Sequence, residues 1–270
     1  AAGRAGAAFD SPGAGWGAAF GICAALCAAS FAVLFFALPR PPGDVPRRTA
    51  GASSLARGFI RIFSEFFSRR GIFAILAYIL LYRFAEGQLA KVVQIFLIDS
   101  RADGGLGLSL EEAGYVYACS PVALLAGGVL GGVYISRRGL EGSLMPMACA
   151  MNLPNVIYVI LAWIQPQSAS AAALGVFCEQ FGYGFGFAGY MMFLIHSSRG
   201  EYRTSFYAIC TGLMALGLNV PGFFSGLAQS AVGYFGFFVW VLLSTAVSFA
   251  VTLGAVRVVA SDARGGGFAA

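Results

Sequence analysis

Four charged side chains stand inside otherwise apolar stretches: Arg83, Glu86 and Lys91 in one, Glu179 in another. At 100° per residue Arg83, Glu86, Ala90, Lys91 and Gln94, with Gly87, fall within an arc of about 140°, and Gln88 lies just outside it. The rest of that surface is Ile, Leu, Phe and Val. A helix patterned this way lines an aqueous path. Arg83 and Glu86, three apart, can pair along the helix, whereas Lys91 sits two turns on and is free to meet an anion or another helix. An acid beside bases in apolar surroundings is the equipment of a proton relay. The other reading is an ion-pair network that only holds helices together.

Glu179 is followed by Gln180 and the run FGYGFGFAGY. Gly182, Gly184, Gly186 and Gly189 there, and Gly127, Gly128, Gly131 and Gly132 in AGGVLGG, suit close helix packing. Gly184, Gly186 and Gly189 also satisfy GxGxxG, but no strand precedes them, so a dinucleotide site is discarded. Asn152, Pro154 and Asn155, and then Asn219, Pro221 and Gly222, interrupt two further apolar runs. They either line a cavity or kink the helices. Tyr183, Tyr190 and Tyr207 could stack on a sugar. His196, the one histidine, reads as an interfacial residue, and the six cysteines read as small apolar residues rather than disulfides or metal ligands.

These residues need elements to hold them, and composition says which kind. Of 270 residues 59% are hydrophobic and 11% charged, against about 25% charged in a soluble domain. The mean hydropathy of +0.78 agrees. Too few charges exist to cover a water-soluble fold, so the chain reads as an all-α integral membrane protein. A bilayer core about 30 Å thick needs about 20 apolar helical residues. Seven segments qualify: 16–38, 72–98, 112–135, 142–164, 171–196, 204–229 and 234–258. A charge at the centre of such a span costs about 2.5–3.5 kcal/mol, which is why the charged face of 72–98 must meet protein or water.

The basic residues orient the spans. Thirteen Arg residues follow the first, third, fifth and seventh spans, among them Arg40, Arg47, Arg48, Arg57, Arg61, Arg69, Arg70, Arg137, Arg138, Arg199 and Arg203. Only Arg4 and Arg101 lie on the opposite side. The linker 39–71 and the C-terminus are therefore expected in the cytoplasm and residues 1–15 outside. The net charge of +5 thus reflects topology rather than nucleic-acid binding. The stretch 39–48 is Pro-rich and basic, and reads as unstructured. After it, LARGFIRIFSEFFSRRG places Leu55, Phe59, Ile62, Phe63, Phe66 and Phe67 opposite Arg57, Arg61 and Arg69, an amphipathic helix on the membrane surface or a solvated connector.

Three stretches resemble the C-terminal half of major facilitator superfamily transporters, and more closely the AmpG-like muropeptide permeases. LYRFAEGQLAKVVQIFLID (81–99) resembles the seventh helix of that family, and GGVLGGVYISRRGL (127–140) the eighth with its Gly/Arg loop. EQFGYGFGFAGYMMFLIHSSRGEYRTSFYAICTGLMALG (179–217) resembles the tenth and eleventh. The resemblance implies a six-helix bundle over 72–260, preceded by the cytoplasmic linker 39–71 and by 1–38, the end of the N-terminal half with its last helix. Helices one to five would be missing, so the chain, which starts at Ala1 without Met, reads as a piece of a longer transporter whose other half is its partner.

The function the resemblance implies is proton-coupled import of anhydro-muropeptides across the inner membrane of a bacterium. Glu86 matches the acid of helix seven and Glu179 that of helix ten, both as proton-coupling groups. Arg83, Lys91, Gln94, Gln180, Asn155 and Asn219 are the expected substrate contacts, and Arg137 and Arg138 match a gating loop. Glu in place of Asp at 86, and the additional Lys91, depart from the family pattern. Rival readings are a carrier of another sugar or organic anion and a non-transporting assembly or sensor subunit. No metal, cofactor or catalytic set is expected.

Overall fold

The computed structural model describes residues 12–37 and 52–264, and the chain divides into two units, one ending at Gly58 and the other beginning at Phe59. Residues 1–11 and the Pro-rich stretch 39–48 lie outside the described residues. In the first unit, helix α1 (Pro12–Ala37) carries no charge, and its large apolar side chains from Trp16 onward are exposed. Helix α2 (Ala52–Phe67) begins in that unit and ends in the second.

The second unit is helical, with no strand among its described residues. Helices α3 (Ile72–Leu81) and α4 (Phe84–Ile98) replace the single expected helix over 72–98, and the break falls at Tyr82–Arg83, where Arg83 has left helical geometry (φ −98°, ψ 19°). After a 3-10 turn at Arg101–Asp103 come α5 (Leu110–Ala118), α6 (Ser120–Asn152), a second 3-10 turn at Leu153–Asn155, α7 (Val156–Ile164), α8 (Ala169–Ser197) and α9 (Arg203–Arg264). Pro154 sits in the second turn and does interrupt the helix. Pro221 lies within continuous helix, so there the expected break is absent.

Two glycines divide the longest helices. Gly139 (φ 72°, ψ 167°) and Gly233 (φ 70°, ψ 174°) lie in backbone space that L residues avoid, inside the expected connections 136–142 and 230–236. The chain reverses at Gly139: Gly131, eight residues before, packs on Met147, eight residues after. Four helical stretches among the described residues are long and apolar enough to cross a membrane: Trp16–Ala37, Ile72–Ile98, Leu110–Ile164 and Arg203–Arg264. The last two contain these reversals. Helix α8, at 29 residues, is long enough but is not among the four, because Glu179, Gln180, His196 and its glycines lower its hydropathy.

Lipid tails are as apolar as leucine, so close packing rather than water exclusion holds such helices together. Helix α8 is notched on two faces for this. Gly182, Gly186 and Gly189 rest on Ala150, Met151 and Met147 of the second arm of α6, while Gly184 rests on Leu124 and Gly128 of the first arm. Gly127 and Gly131 face Phe181 and Phe185, but Gly128 is only distantly approached and Gly132 meets nothing, so half of that expected glycine face packs. Gly87, Gly217 and Gly222 form a second seam between α3–α4 and α9.

The buried apolar residues form two clusters. One joins Leu89, Phe96, Val116, Tyr158, Val176, Tyr234 and Phe238 at the end of the bundle near the acidic loop. The other joins Phe66, Tyr78, Tyr82, Leu144, Tyr190, Phe193, Phe206 and Ala255 at the opposite end. At the acidic end the amides of Leu106 and Leu108 bond Phe96 and Leu97, and Arg101 donates to the carbonyls of Gln165 and Pro166, tying two connections together. Ser109 and Glu112 make a capping box at α5.

At the other end Arg69 closes the α8–α9 connection. Its guanidinium donates to the carbonyls of Ser197 and Arg199 and lies 4.1 Å from the centre of the Phe206 ring. Gly200 (φ 132°) leaves room for it, since a Cβ there would lie 2.9 Å from Nη2. Arg69→Ala is expected to loosen α2 by about 1–3 kcal/mol, less than buried charged hydrogen bonds would give because this site is partly solvated. Hydrogen exchange over 59–67 should rise in that variant and stay unchanged in Arg70→Ala, whose side chain is exposed.

Candidate functional site

The two apolar clusters leave a polar layer between them. Along α3–α4 the chain passes from Tyr82 in one cluster to Ala85 and Leu89 in the other, and Arg83 and Glu86 fall at the crossing. Along α8, Glu179 lies between Val176 and Tyr190 in the same way. Arg83 stands at the break between α3 and α4 and is 6% exposed.

Arg83 Nε donates to Glu86 Oε2 at 2.6 Å and Nη2 to Oε1 at 2.8 Å, a two-pronged pair. The same Nη2 donates to the Tyr183 hydroxyl at 2.9 Å. The guanidinium carbon lies 5.4 Å from the Tyr183 ring centre and 5.1 Å from that of Phe187, within cation–π range. Helix α8 therefore grips the arginine with an i, i+4 aromatic pair.

Glu86 and Glu179 line one cavity of about 120 Å³ with Leu89, Ala90, Val93, Gln94, Tyr117, Tyr158 and Gln180. Glu179 Oε2 accepts from Gln180 Nε2 at 2.9 Å and from the Tyr158 hydroxyl at 3.3 Å. Among the described residues no cation pairs with it. The site thus holds one carboxylate bound to a guanidinium and one held only by neutral donors. Charge or a proton arriving in the cavity can redistribute between the two.

Of the expected residues, Arg83, Glu86, Gln94, Glu179 and Gln180 come together here. Lys91 does not; it lines a different cavity, between α4 and α9. Asn155 is buried in the second 3-10 turn and Asn219 is exposed, its amide donating back to Ala215, and neither lines the central cavity. Arg137 and Arg138 are exposed beside the Gly139 reversal, with Arg138 over the Tyr134 ring at 5.6 Å. Tyr190 is fully buried, stacked 5.1 Å from Tyr82 and donating to the Ile79 carbonyl, so it is closed to a sugar. His196 bonds Asp262 at 3.1 Å. Cys210 alone among the six free cysteines is buried.

Sequence reasoning missed Tyr117, Tyr158 and Phe187. The four-residue spacing of Tyr183 and Phe187 could have flagged the arginine clamp. Nothing local marks Tyr117 or Tyr158, which the fold brings in from other helices. Gln88, just outside the expected polar arc, is buried and accepts from Trp240 Nε1 at 2.8 Å, joining α4 to α9.

The sequence profile of the Major Facilitator Superfamily matches residues 5–220. The chain belongs to that superfamily. An uncharacterized protein of Haemophilus influenzae is 27% identical over 68% of this chain and 44% of its own length. The AmpG 2 protein of Rickettsia prowazekii is 22% identical over 67% of this chain and 43% of its own length. The anhydromuropeptide permease of Escherichia coli is 23% identical over 75% of this chain and 39% of its own length. The chain therefore spans less than half the length of these relatives.

Proposed function

We propose that this chain is the C-terminal part of a proton-coupled importer of peptidoglycan fragments in a bacterial inner membrane. The observation that carries the reading is the Arg83–Glu86 pair, set beside Glu179 at one cavity between two apolar clusters. Kinship with AmpG-named proteins and an anhydromuropeptide permease supports the substrate class.

In this reading residues 1–38 end the N-terminal half, 39–71 is the cytoplasmic linker, and 72–260 is the six-helix C-terminal half. The reversals at Gly139 and Gly233 support seven crossings, with two each in Leu110–Ile164 and Arg203–Arg264. The substrate cavity is completed by the other half of the transporter, as in carriers built from paired repeats. A proton reaching Glu86 neutralises it and loosens its hold on Arg83. The guanidinium then turns to a substrate carboxylate, with Tyr183 and Phe187 keeping it in place. Glu179, Gln180 and Gln94 line the route, and Arg137 and Arg138 sit at the cytoplasmic gate.

The test uses the full-length protein in vesicles. An imposed pH gradient, acidic on the side of residues 1–15, is expected to drive accumulation of labelled anhydro-muropeptide. Collapsing the gradient should abolish accumulation, and unlabelled ligand should compete. Accumulation that ignores the gradient sinks proton coupling. Gradient-driven uptake of other sugars or organic anions, without competition by anhydro-muropeptide, sinks the substrate assignment.

A further inference from the structure

Lys91 is separated from the chemistry around Glu86. Its stem crosses α9 at Gly222, where an added Cβ would lie 3.1 Å from Lys91 Cγ and 3.3 Å from Cε. This glycine notch lets the chain pass into a second cavity, of about 280 Å³, between α4 and α9. Val92, Ile95 and Phe223 give that cavity apolar walls, and Ser225, Gln229 and Tyr234 give it polar ones.

The polar neighbours do not neutralise the ammonium. Among the described residues no carboxylate lies in ion-pair range of Lys91. The carboxylate of Asp99 already accepts from the Tyr234 hydroxyl, and Ser225 spends its proton on the Gly222 carbonyl. The nearby connection, SAVGYFG over 230–236, holds no charge. Lys91 is itself exposed, and a lysine within a membrane-spanning helix is costly without a counter-charge, which none of the described residues supplies. Beside the cavity Ile95, Phe223 and Leu227 are 51%, 79% and 69% exposed, an apolar strip fit for acyl chain. Lysine binds phosphate as a point charge, and Gln229 adds amide donors.

We propose that this cavity binds the phosphate of an anionic phospholipid, with Lys91 as its counter-ion and the Ile95–Phe223–Leu227 strip against the lipid tail. The inference does not depend on transport.

Native mass spectrometry of the full-length protein, titrated with phosphatidylglycerol and with phosphatidylcholine of the same acyl chains, tests it. The wild type should retain one phosphatidylglycerol that Lys91→Met binds at least about tenfold more weakly, the loss of one charge-assisted contact. Lys91→Arg should keep that lipid, which separates charge from folding, and Arg70→Gln should leave it in place. An unchanged count in Lys91→Met overturns the proposal and points to a carboxylate from the rest of the transporter. Equal retention of phosphatidylcholine, or displacement of the lipid by millimolar inorganic phosphate, also overturns it, the latter in favour of a soluble anion.

Discussion

Replacing Arg83 with methionine is expected to destabilise the bundle by about 3–5 kcal/mol and to abolish gradient-driven uptake. The reason is the company Glu86 keeps. Its side chain is 15% exposed, and both carboxylate oxygens are taken up by the guanidinium at 2.6 and 2.8 Å. Removing one partner of a buried pair strands the other charge, which costs far more than the pair itself contributes. The double variant Arg83→Met/Glu86→Met removes both charges and should recover most of the lost stability, because apolar replacement of a buried pair is often neutral or better. It should not recover uptake. Thermal melting in micelles beside vesicle uptake separates the two effects. If the double variant melts as low as the single one, the pair is not the source of the loss. If it transports at the wild-type rate, the pair only braces helices, and the proposed mechanism fails.

Gly184→Val should be nearly as damaging for a different reason. A Cβ at this position would overlap the Leu124 carbonyl and approach the Gly128 amide at 3.0 Å, and backbone cannot move aside as a flexible side chain can. Overpacking costs about 1–3 kcal/mol in ordinary cores, and more where backbone must shift. Helix α8 is pinned on its other faces by Gly182, Gly186 and Gly189, so relief in one direction tightens contacts in the other. Because α8 carries Glu179 and the Tyr183–Phe187 clamp, uptake should fall along with stability. Gly132→Ala and Gly142→Ala supply the comparison: nothing lies near either position, and both should change melting by less than about 1 kcal/mol. Equal loss at Gly184 and Gly132 would mean that helix propensity, not the seam, is being measured.

Much of this was legible in the residues themselves. Eleven per cent charge in 270 residues rules out a water-covered surface, and apolar runs of about twenty residues between polar breaks have few other uses. The amphipathic pattern after Ala52 became helix α2. The Arg83–Glu86 pairing followed from a three-residue spacing and was found. The reversals at residues 139 and 233 fell inside connections expected from SRRGLEG and SAVGYFG.

The structure also separates residues that spacing had grouped, for more than one reason. The polar arc over 83–94 is about 140° wide, and Glu86 and Lys91 stand at its two edges on the same helix α4. At that separation the Lys91 side chain passes the Gly222 notch into another cavity, while Glu86 faces Glu179. Asn155 and Asn219 were polar in apolar runs, but an amide can satisfy itself on backbone four residues away, as Asn219 does. The exposed or buried state of Tyr190 had no local mark either.

The amino-acid sequence by itself determined the class of the protein, the connections that hold the Gly139 and Gly233 reversals, and which charges had to be compensated. These depend on composition and on spacing along a single helix, where neighbours three or four apart must meet. Only the tertiary structure decided which polar residues share a cavity. Glu86 and Glu179 are ninety-three residues apart, and Tyr117 and Tyr158 join them from two other helices. Their meeting depends on how closely α8 settles between the arms of α6. That depth is set by glycines meeting backbone across helices, a relation that no spacing within one helix encodes.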